Sequence, residues 1–293
     1  MILLEILKVI VIGIVEGLTE WLPISSTGHI ILLEEMIQLN VTEAFKDMFE
    51  VVIQLGAILA VMFLYFDKLN PFSRRKKEKH RRFTLILWLK IIVACIPAAV
   101  LGLVLDDWIK NNLKNGFIIS LMLIVYGAIF IIVEKRNRPV TIDRLSLIDY
   151  QTALYIGLFQ VLSLIPGTSR SGVTIIGAMI IGCSRPVASE FSFFLAIPIM
   201  FGASFVKIVK YILHLGDSAT KAVATTATAA TTPVFAEVLY LIIGMIVAFF
   251  VSMYAIRFLL SWVKKHDFVF FGIYRIVLGV IVMIWYILSS IVK

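Results

Sequence analysis

Charge is scarce in this sequence. Asp, Glu, Lys and Arg make up 16% of its 293 residues, 60% are apolar, and the mean hydropathy is +1.00. That balance excludes an ordinary soluble domain, in which about a quarter of residues are charged. Cysteine is scarcer still. Cys95 and Cys183 are the whole complement, both lie in or beside apolar segments, and neither belongs to a CxxC or Cys/His spacing. Neither a disulfide framework nor a zinc site is indicated.

What fills the chain is a series of apolar runs of roughly 17–25 residues, each long enough to cross the hydrocarbon of a bilayer. Six read as full spans, at about 48–66, 83–105, 117–133, 191–213, 238–260 and 268–292. Residues 2–36 and 150–184 are also apolar and helical in pattern, but proline and a Ser/Thr/Gly cluster interrupt each near its middle. Their flanks are too short or too polar for ordinary spans, which predicts re-entrant helix-loop-helix hairpins. The fold class is an all-α polytopic membrane protein with six transmembrane helices and two hairpins, residues 1–293 forming a single membrane domain. The apolar stretch Met1–Leu18 has a signal-peptide look. Glu5, Glu16 and Glu20 lie in or just after it and no small-residue cleavage pattern follows, so it is expected to remain in the mature protein.

Lys and Arg orient the chain. Lys68, Arg74, Arg75, Lys76, Lys77, Lys79, Arg81 and Arg82 crowd the 67–82 loop, which is therefore cytoplasmic. Tracing the spans puts Lys135, Arg136, Arg138, Arg144, Lys264 and Lys265 inside as well, and the loops at 106–116 and 214–236 outside. A net charge of +8 and the Arg74–Lys77 run are compatible with nucleic acid. Positive-inside topology and attraction to anionic membrane lipid explain them without it, and no nucleic-acid partner is expected. Ser218–Thr232 is Ala/Thr-rich and nearly uncharged, and reads as an irregular outer excursion. On this trace the first hairpin enters from outside and the second from inside, each followed by three spans. The halves, about 1–147 and 148–293, form an inverted-topology repeat. Weak echoes accompany it: Pro23-x-x-Ser26 against Pro166-x-x-Ser169, then Glu50 and Glu190 downstream.

Chemistry-bearing residues concentrate in the two interruptions. Glu16 and Glu20 are four apart, so on a helix they share a face, just before Pro23 and the hydroxyl loop Ser25, Ser26, Thr27. Two carboxylates together in a low dielectric share a proton or meet a metal or an arginine. His29, three residues after Ser26, is close enough to serve as its base or to protonate a leaving group, although a lone buried histidine is ordinarily a structural hydrogen bond. Thr168, Ser169, Arg170, Ser171, Gly172 and Thr174 supply hydroxyls, backbone amides, a guanidinium and a helix N-terminus, a set that suits phosphate. Glu50 and Gln54 lie on the first span and Glu190 just before the fourth. Six ionisable groups (Glu16, Glu20, His29, Glu50, Arg170, Glu190) at roughly 2.5–3.5 kcal/mol each would cost on the order of 15–20 kcal/mol if scattered. They are therefore expected to cluster. Glu190 equally suits the first turn of the fourth span, where an acid is favoured, and Asp106 and Asp107 read as solvated at an outer helix end.

The segments Glu16–His29 (EGLTEWLPISSTGH), Phe49–Gly56 (FEVVIQLG), Pro166–Thr174 (PGTSRSGVT) and Ala188–Phe193 (ASEFSF) closely resemble the bacterial undecaprenyl-diphosphate phosphatase family of the BacA type, and the likeness runs over essentially the whole chain. The resemblance implies an integral enzyme of the bacterial plasma (inner) membrane, multi-pass, with a pocket open to the extracytoplasmic face. Such an enzyme removes the terminal phosphate of undecaprenyl diphosphate, recycles the lipid carrier for peptidoglycan and confers bacitracin resistance. It implies dependence on a divalent cation, Mg or Ca, and allows a homodimer. Carried over residue by residue, it assigns catalysis to Glu16, Glu20, Ser26, His29 and Arg170. It gives phosphate binding to Ser169, Ser171 and Thr174; beside the resemblance, Ser25, Thr27, Gln54, Thr168 and Gly172 are read as further substrate-binding residues, and Glu16 and Glu20 with Glu50 as the metal ligands. Three routes stay open: attack by Ser26 assisted by His29, attack by water with His29 as base, and His29 as nucleophile. A polyprenyl-phosphate transporter or flippase using the same phosphate loop is the alternative, since broken helices in inverted repeats are also a transporter plan.

Overall fold

The computed structural model describes residues 2–73, 77–136, 138–224 and 234–292. Arg74, Arg75 and Lys76 of the basic loop, and 225–232 of the Ala/Thr-rich excursion, lie outside the described residues. The chain is helical: α1 (Ile2–Thr19), α2 (Ser26–Met36), α3 (Glu43–Val52), α4 (Gln54–Leu64), α5 (Phe66–Leu69), α6 (Glu78–Leu113), α7 (Gly116–Lys135), α8 (Tyr150–Val161), α9 (Arg170–Ile181), α10 (Arg185–Ala224), α11 (Val234–Trp262) and α12 (Val269–Val292). Among the described residues there is no strand, only an isolated bridge between Ile142 and Cys183. Both cysteines are free and buried.

Six helical segments are long and apolar enough to cross a membrane: Glu43–Leu64, Glu78–Ile109, Gly116–Lys135, Arg185–Leu213, Phe235–Trp262 and Val269–Ser290. They coincide with the six predicted spans but mostly overrun them, because flanking charged residues such as Glu78, Lys79 and Lys110 are good helix formers and helix continues past the apolar window. Ser218–Ala224, predicted to be irregular, continues α10 for the same reason, its alanines favouring helix. The first span is not one rod. At Ile53 the ladder tightens, the Gly56 amide donating to the Ile53 carbonyl at 3.0 Å, and α3 gives way to α4. Pro97 and Pro198 sit inside α6 and α10, as membrane helices tolerate.

Side-chain caps define several starts. Thr42 accepts from the Phe45 amide (3.2 Å), Asn115 from Ile118 (2.9 Å) and Asp149 from Thr152 (2.7 Å). The bond from the Thr152 amide holds the Asp149 carboxyl below its usual range. Outward faces are apolar, with Leu103, Val104, Phe205 and Phe250 among the large exposed side chains, as lipid-facing surfaces require. The interior centres on Trp21, Phe191, Phe193, Phe194 and Phe268, and a second cluster joins Val9 and Ile12 of α1 to Phe45, Phe49 and Tyr240.

Glycines set how the two helix-loop-helix units dock. In α1, Gly13 abuts the Gly244 carbonyl of α11 and Gly17 that of Ala248, so these helices run parallel. In α8, Gly157 abuts the Ala94 carbonyl of α6, and in the turn that continues past α8 Leu164 reaches Gly102 farther along α6, so this pair also runs parallel. A Cβ on Gly157 would lie 2.1 Å from the Ala94 oxygen, whereas one on Gly202 would meet nothing within 4 Å. Gly157→Ala is expected to destabilise by roughly 1–3 kcal/mol through overpacking. Gly202→Ala should leave stability equal or raise it by up to about 1 kcal/mol. Thermal midpoints of the two variants in one detergent check the contrast.

Candidate active site

The loops that end α1 and α8 meet. Each passes through a serine in the left-handed half of backbone space, Ser25 at φ 73° and Ser169 at φ 70°, immediately before α2 and α9. Such a φ on a residue with a side chain costs on the order of 1–3 kcal/mol and is retained where surroundings over-determine it. The matched serines put the two loops in a register one residue away from the Pro-x-x-Ser echo, with Ser25 rather than Ser26 opposite Ser169. Ser169 Oγ accepts from the Gly172 amide (3.2 Å) and caps α9, whereas Ser25 makes no cap and leaves the start of α2 open.

Glu20 joins the halves. One carboxylate oxygen, Oε1, accepts from Arg170 Nη2 at 2.9 Å, and the other accepts the Ser26 hydroxyl at 2.9 Å. Both Glu20 and Arg170 are largely buried, so this is a desolvated ion pair bridging the segment after α1 to the start of α9. The second guanidinium nitrogen of Arg170 donates to the Ser192 carbonyl (3.0 Å), and its plane lies 5.6 Å from the Trp21 ring. Ser171 Oγ donates to the Glu20 carbonyl (3.1 Å), and Thr174 Oγ1 bonds Ser192 Oγ at 2.6 Å.

His29 departs from expectation. Its Nδ1 contacts the Ser25 carbonyl at 2.7 Å and its Nε2 the Tyr274 hydroxyl at 2.7 Å, so it does not pair with Ser26. One turn into α2, the ring reaches back to its own cap carbonyl, while the Ser26 hydroxyl is taken by the stronger acceptor Glu20. The expected six-group cluster is correspondingly divided. Glu16, Glu20 and Arg170 gather, Glu50 takes Lys114 (2.9 Å), and Glu190 takes Lys68. Glu190 is also not in a first turn, because α10 already begins at Arg185. Asp106, expected to be solvated, pairs with Lys210 at 3.2 Å, and Asp107 is exposed. Thr27 follows Ser26 in the first turn of α2, and Gln54 opens α4 with no hydrogen bond to either loop among the described residues.

Three contributors carried no motif. Arg275 of α12 is fully buried and donates to the carbonyls of Gly167 (3.1 Å), Thr168 (2.9 Å) and Pro23 (3.4 Å), stitching both loops together. It is the lone charge in an apolar helix, the same signal that singles out Arg170. Tyr274 beside it reaches His29, and Gln160 of α8 is buried with both amide atoms unpartnered.

Among the described residues, every buried side-chain polar atom without a hydrogen-bond partner belongs to the two helix-loop-helix units or to Arg275. They are both oxygens of Glu16, Trp21 Nε1, Ser25 Oγ, both amide atoms of Gln160, Thr168 Oγ1, and the Nε atoms of Arg170 and Arg275. Native interiors leave few such groups, so their concentration marks a place where polar ligand atoms belong. Among the described residues no three His, Cys, Asp or Glu side chains converge, so the trio Glu16, Glu20 and Glu50 is not assembled. The unpartnered carboxylate of Glu16 is nevertheless the hard oxygen donor that magnesium or calcium takes, and such ions complete their shells with water and phosphate oxygens. Glu16 is therefore the residue here that could hold such an ion.

A profile of the family described as bacitracin resistance protein BacA matches residues 9–281. Curated relatives named undecaprenyl-diphosphatase are similar over nearly the full chain. One from Streptococcus thermophilus is 52% identical over 285 residues, covering 97% of this chain and 94% of the relative. One from Enterococcus faecalis is 53% identical, covering 96% and 98%. One from Lactococcus lactis subsp. lactis is 50% identical, covering 96% and 97%.

Proposed function

The chain belongs to the bacitracin resistance protein BacA family, and from that premise we propose that the paired loops form the active site of an undecaprenyl-diphosphatase. The enzyme is a multi-pass protein of the bacterial plasma membrane, releasing inorganic phosphate from undecaprenyl diphosphate and returning the monophosphate carrier to peptidoglycan synthesis. Bacitracin resistance follows from that activity. The observation that carries the site assignment is the concentration of unpartnered buried polar atoms on the two hairpins.

The open start of α2, the capped start of α9, Arg170 Nε and the hydroxyls of Ser25 and Thr168 bind the diphosphate oxygens. Ser171 and Gly172 lie in the first turn of α9, and Thr174 ties the Arg170 carbonyl to Ser192. Ser26, whose hydroxyl already donates to Glu20, attacks the terminal phosphorus while the Glu20 carboxylate receives its proton, and the bond to the bridging oxygen breaks to release undecaprenyl phosphate. His29 serves the second stage, in which water hydrolyses the phospho-serine. Glu16 and Glu20 would hold a divalent cation, magnesium or calcium, which would supply charge neutralisation for the diphosphate.

The architecture behind this reading is an inverted repeat of two re-entrant hairpins. Gly13 and Gly157, Glu16 and Gln160, Ser25 and Ser169, and Gly28 and Gly172 are each separated by the same interval, and α1 packs on α11 as α8 packs on α6. The site opens to the extracytoplasmic face. A cavity of about 250 Å³ lies between the first helix-loop-helix unit and α3, lined by Ile12, Leu33, Glu43, Lys46, Glu50 and Ile53.

Purified protein in detergent, without any gradient, is expected to release phosphate from undecaprenyl diphosphate, to stop in EDTA, and to recover with added Mg or Ca. Release that continues unchanged in EDTA removes the cation. No release from folded protein removes the enzyme and favours lipid transport.

A further inference from the structure

His29 is held from two sides by groups on different halves of the chain. Its Nδ1 lies 2.7 Å from the Ser25 carbonyl oxygen, which has no hydrogen to give, so Nδ1 carries the proton. The neutral ring then presents its lone pair at Nε2, and the hydroxyl 2.7 Å from that nitrogen is Tyr274, from α12. The two rings lie nearly parallel, 8° apart in plane with centroids at 5.6 Å, so the phenol also limits rotation of the imidazole. Tyr274 cannot drift, since the next residue is Arg275, buried and bonded to carbonyls of both loops.

Resting on the phosphatase reading above, we propose that Tyr274 is a positioning residue for the reaction, holding the Nε2 lone pair of the Nδ1–H tautomer that the Ser25 carbonyl selects and setting its direction. Nε2 is the basic position of the neutral ring, so the group that orients it controls where His29 takes or returns a proton. An orienting partner of a functional imidazole typically contributes roughly 10–100-fold. Ser26 does not need His29 to hold it, because Glu20 does, which leaves His29 free to be governed from α12.

The test uses the full chain in micelles. Tyr274→Phe keeps the stacked ring and removes the hydroxyl. It is expected to lower kcat for phosphate release about tenfold while KM stays within about twofold. In protein labelled with nitrogen-15 histidine and free of substrate, with His29 assigned by His29→Gln, the wild type should show a protonated Nδ1 and a bare Nε2. The Nε2 resonance should move downfield in Tyr274→Phe as its hydrogen bond is lost. A wild-type ring protonated on Nε2 overturns the proposal, as does Tyr274→Phe turning over at the wild-type kcat. If the wild type releases no phosphate the phosphatase reading fails separately, and the nitrogen spectra still decide whether the Tyr274 hydroxyl holds Nε2.

Discussion

Replacing Glu20 by Gln is expected to lower phosphate release by on the order of 10³-fold or more, and combining it with Arg170→Ala to cost little beyond either change alone. The two oxygens of Glu20 serve different partners, Oε1 holding Arg170 and Oε2 accepting the Ser26 hydroxyl. A glutamine side chain has the same shape but one acceptor. If its oxygen keeps Ser26, its amide hydrogens face a guanidinium that also only donates. If it keeps Arg170, Ser26 loses the carboxylate that receives its proton. Arg170 is then a buried charge without its counter-ion, a situation that costs roughly 3–5 kcal/mol when one partner of a buried pair is removed. Groups that act as a unit show non-additive losses, so the double variant tests the geometry more sharply than either single one. Steady-state phosphate release by all four proteins gives the cycle. Losses that multiply mean that Glu20 and Arg170 act independently, which their 2.9 Å contact argues against.

How much of this was legible from residues alone depends on the kind of contact. The six spans and both interruptions follow from hydropathy, because burial in lipid is a property of a whole segment. Meeting an arginine is one of the few fates open to a buried carboxylate pair, and Arg170 follows from its place in an apolar region. The partners of His29 were not legible, because Tyr274 lies 245 residues away in a helix with no motif. Arg275 obeys the rule that marked Arg170, a charge in apolar sequence, but no hydroxyl loop flanks it to draw attention. Glu50 and Glu190 were expected at the site and are instead paired with Lys114 and Lys68. Sequence supplies the need for a counter-charge, while the choice of which charge is set by helix ends that only the packed bundle brings together. Ser192 contributes its backbone carbonyl to Arg170, a role its side chain does not advertise.

Arg275→Lys should separate stability from activity. Its guanidinium reaches three carbonyls, Gly167 and Thr168 on one loop and Pro23 on the other, from a fully buried position that no carboxylate pairs with among the described residues. A lysine ammonium keeps the charge and reaches one loop, but as a compact point it does not span both. The protein should therefore fold, with a loss of roughly 1–3 kcal/mol for buried carbonyls left without a donor. The loops, no longer tied, should lose their relative placement, and a misplacement near 1 Å can cost about 10²-fold in rate. Arg275→Met should remove about as much activity. Its stability loss is moderated, because dropping an uncompensated buried charge offsets part of the cost of the orphaned carbonyls. Thermal midpoints and phosphate release measured on both variants decide the matter. If activity falls only in proportion to the folded fraction, Arg275 is a structural strut. If Arg275→Lys stays folded and loses about two orders of magnitude in rate, the strained turns at Ser25 and Ser169 are held in catalytic register by a residue that touches neither serine.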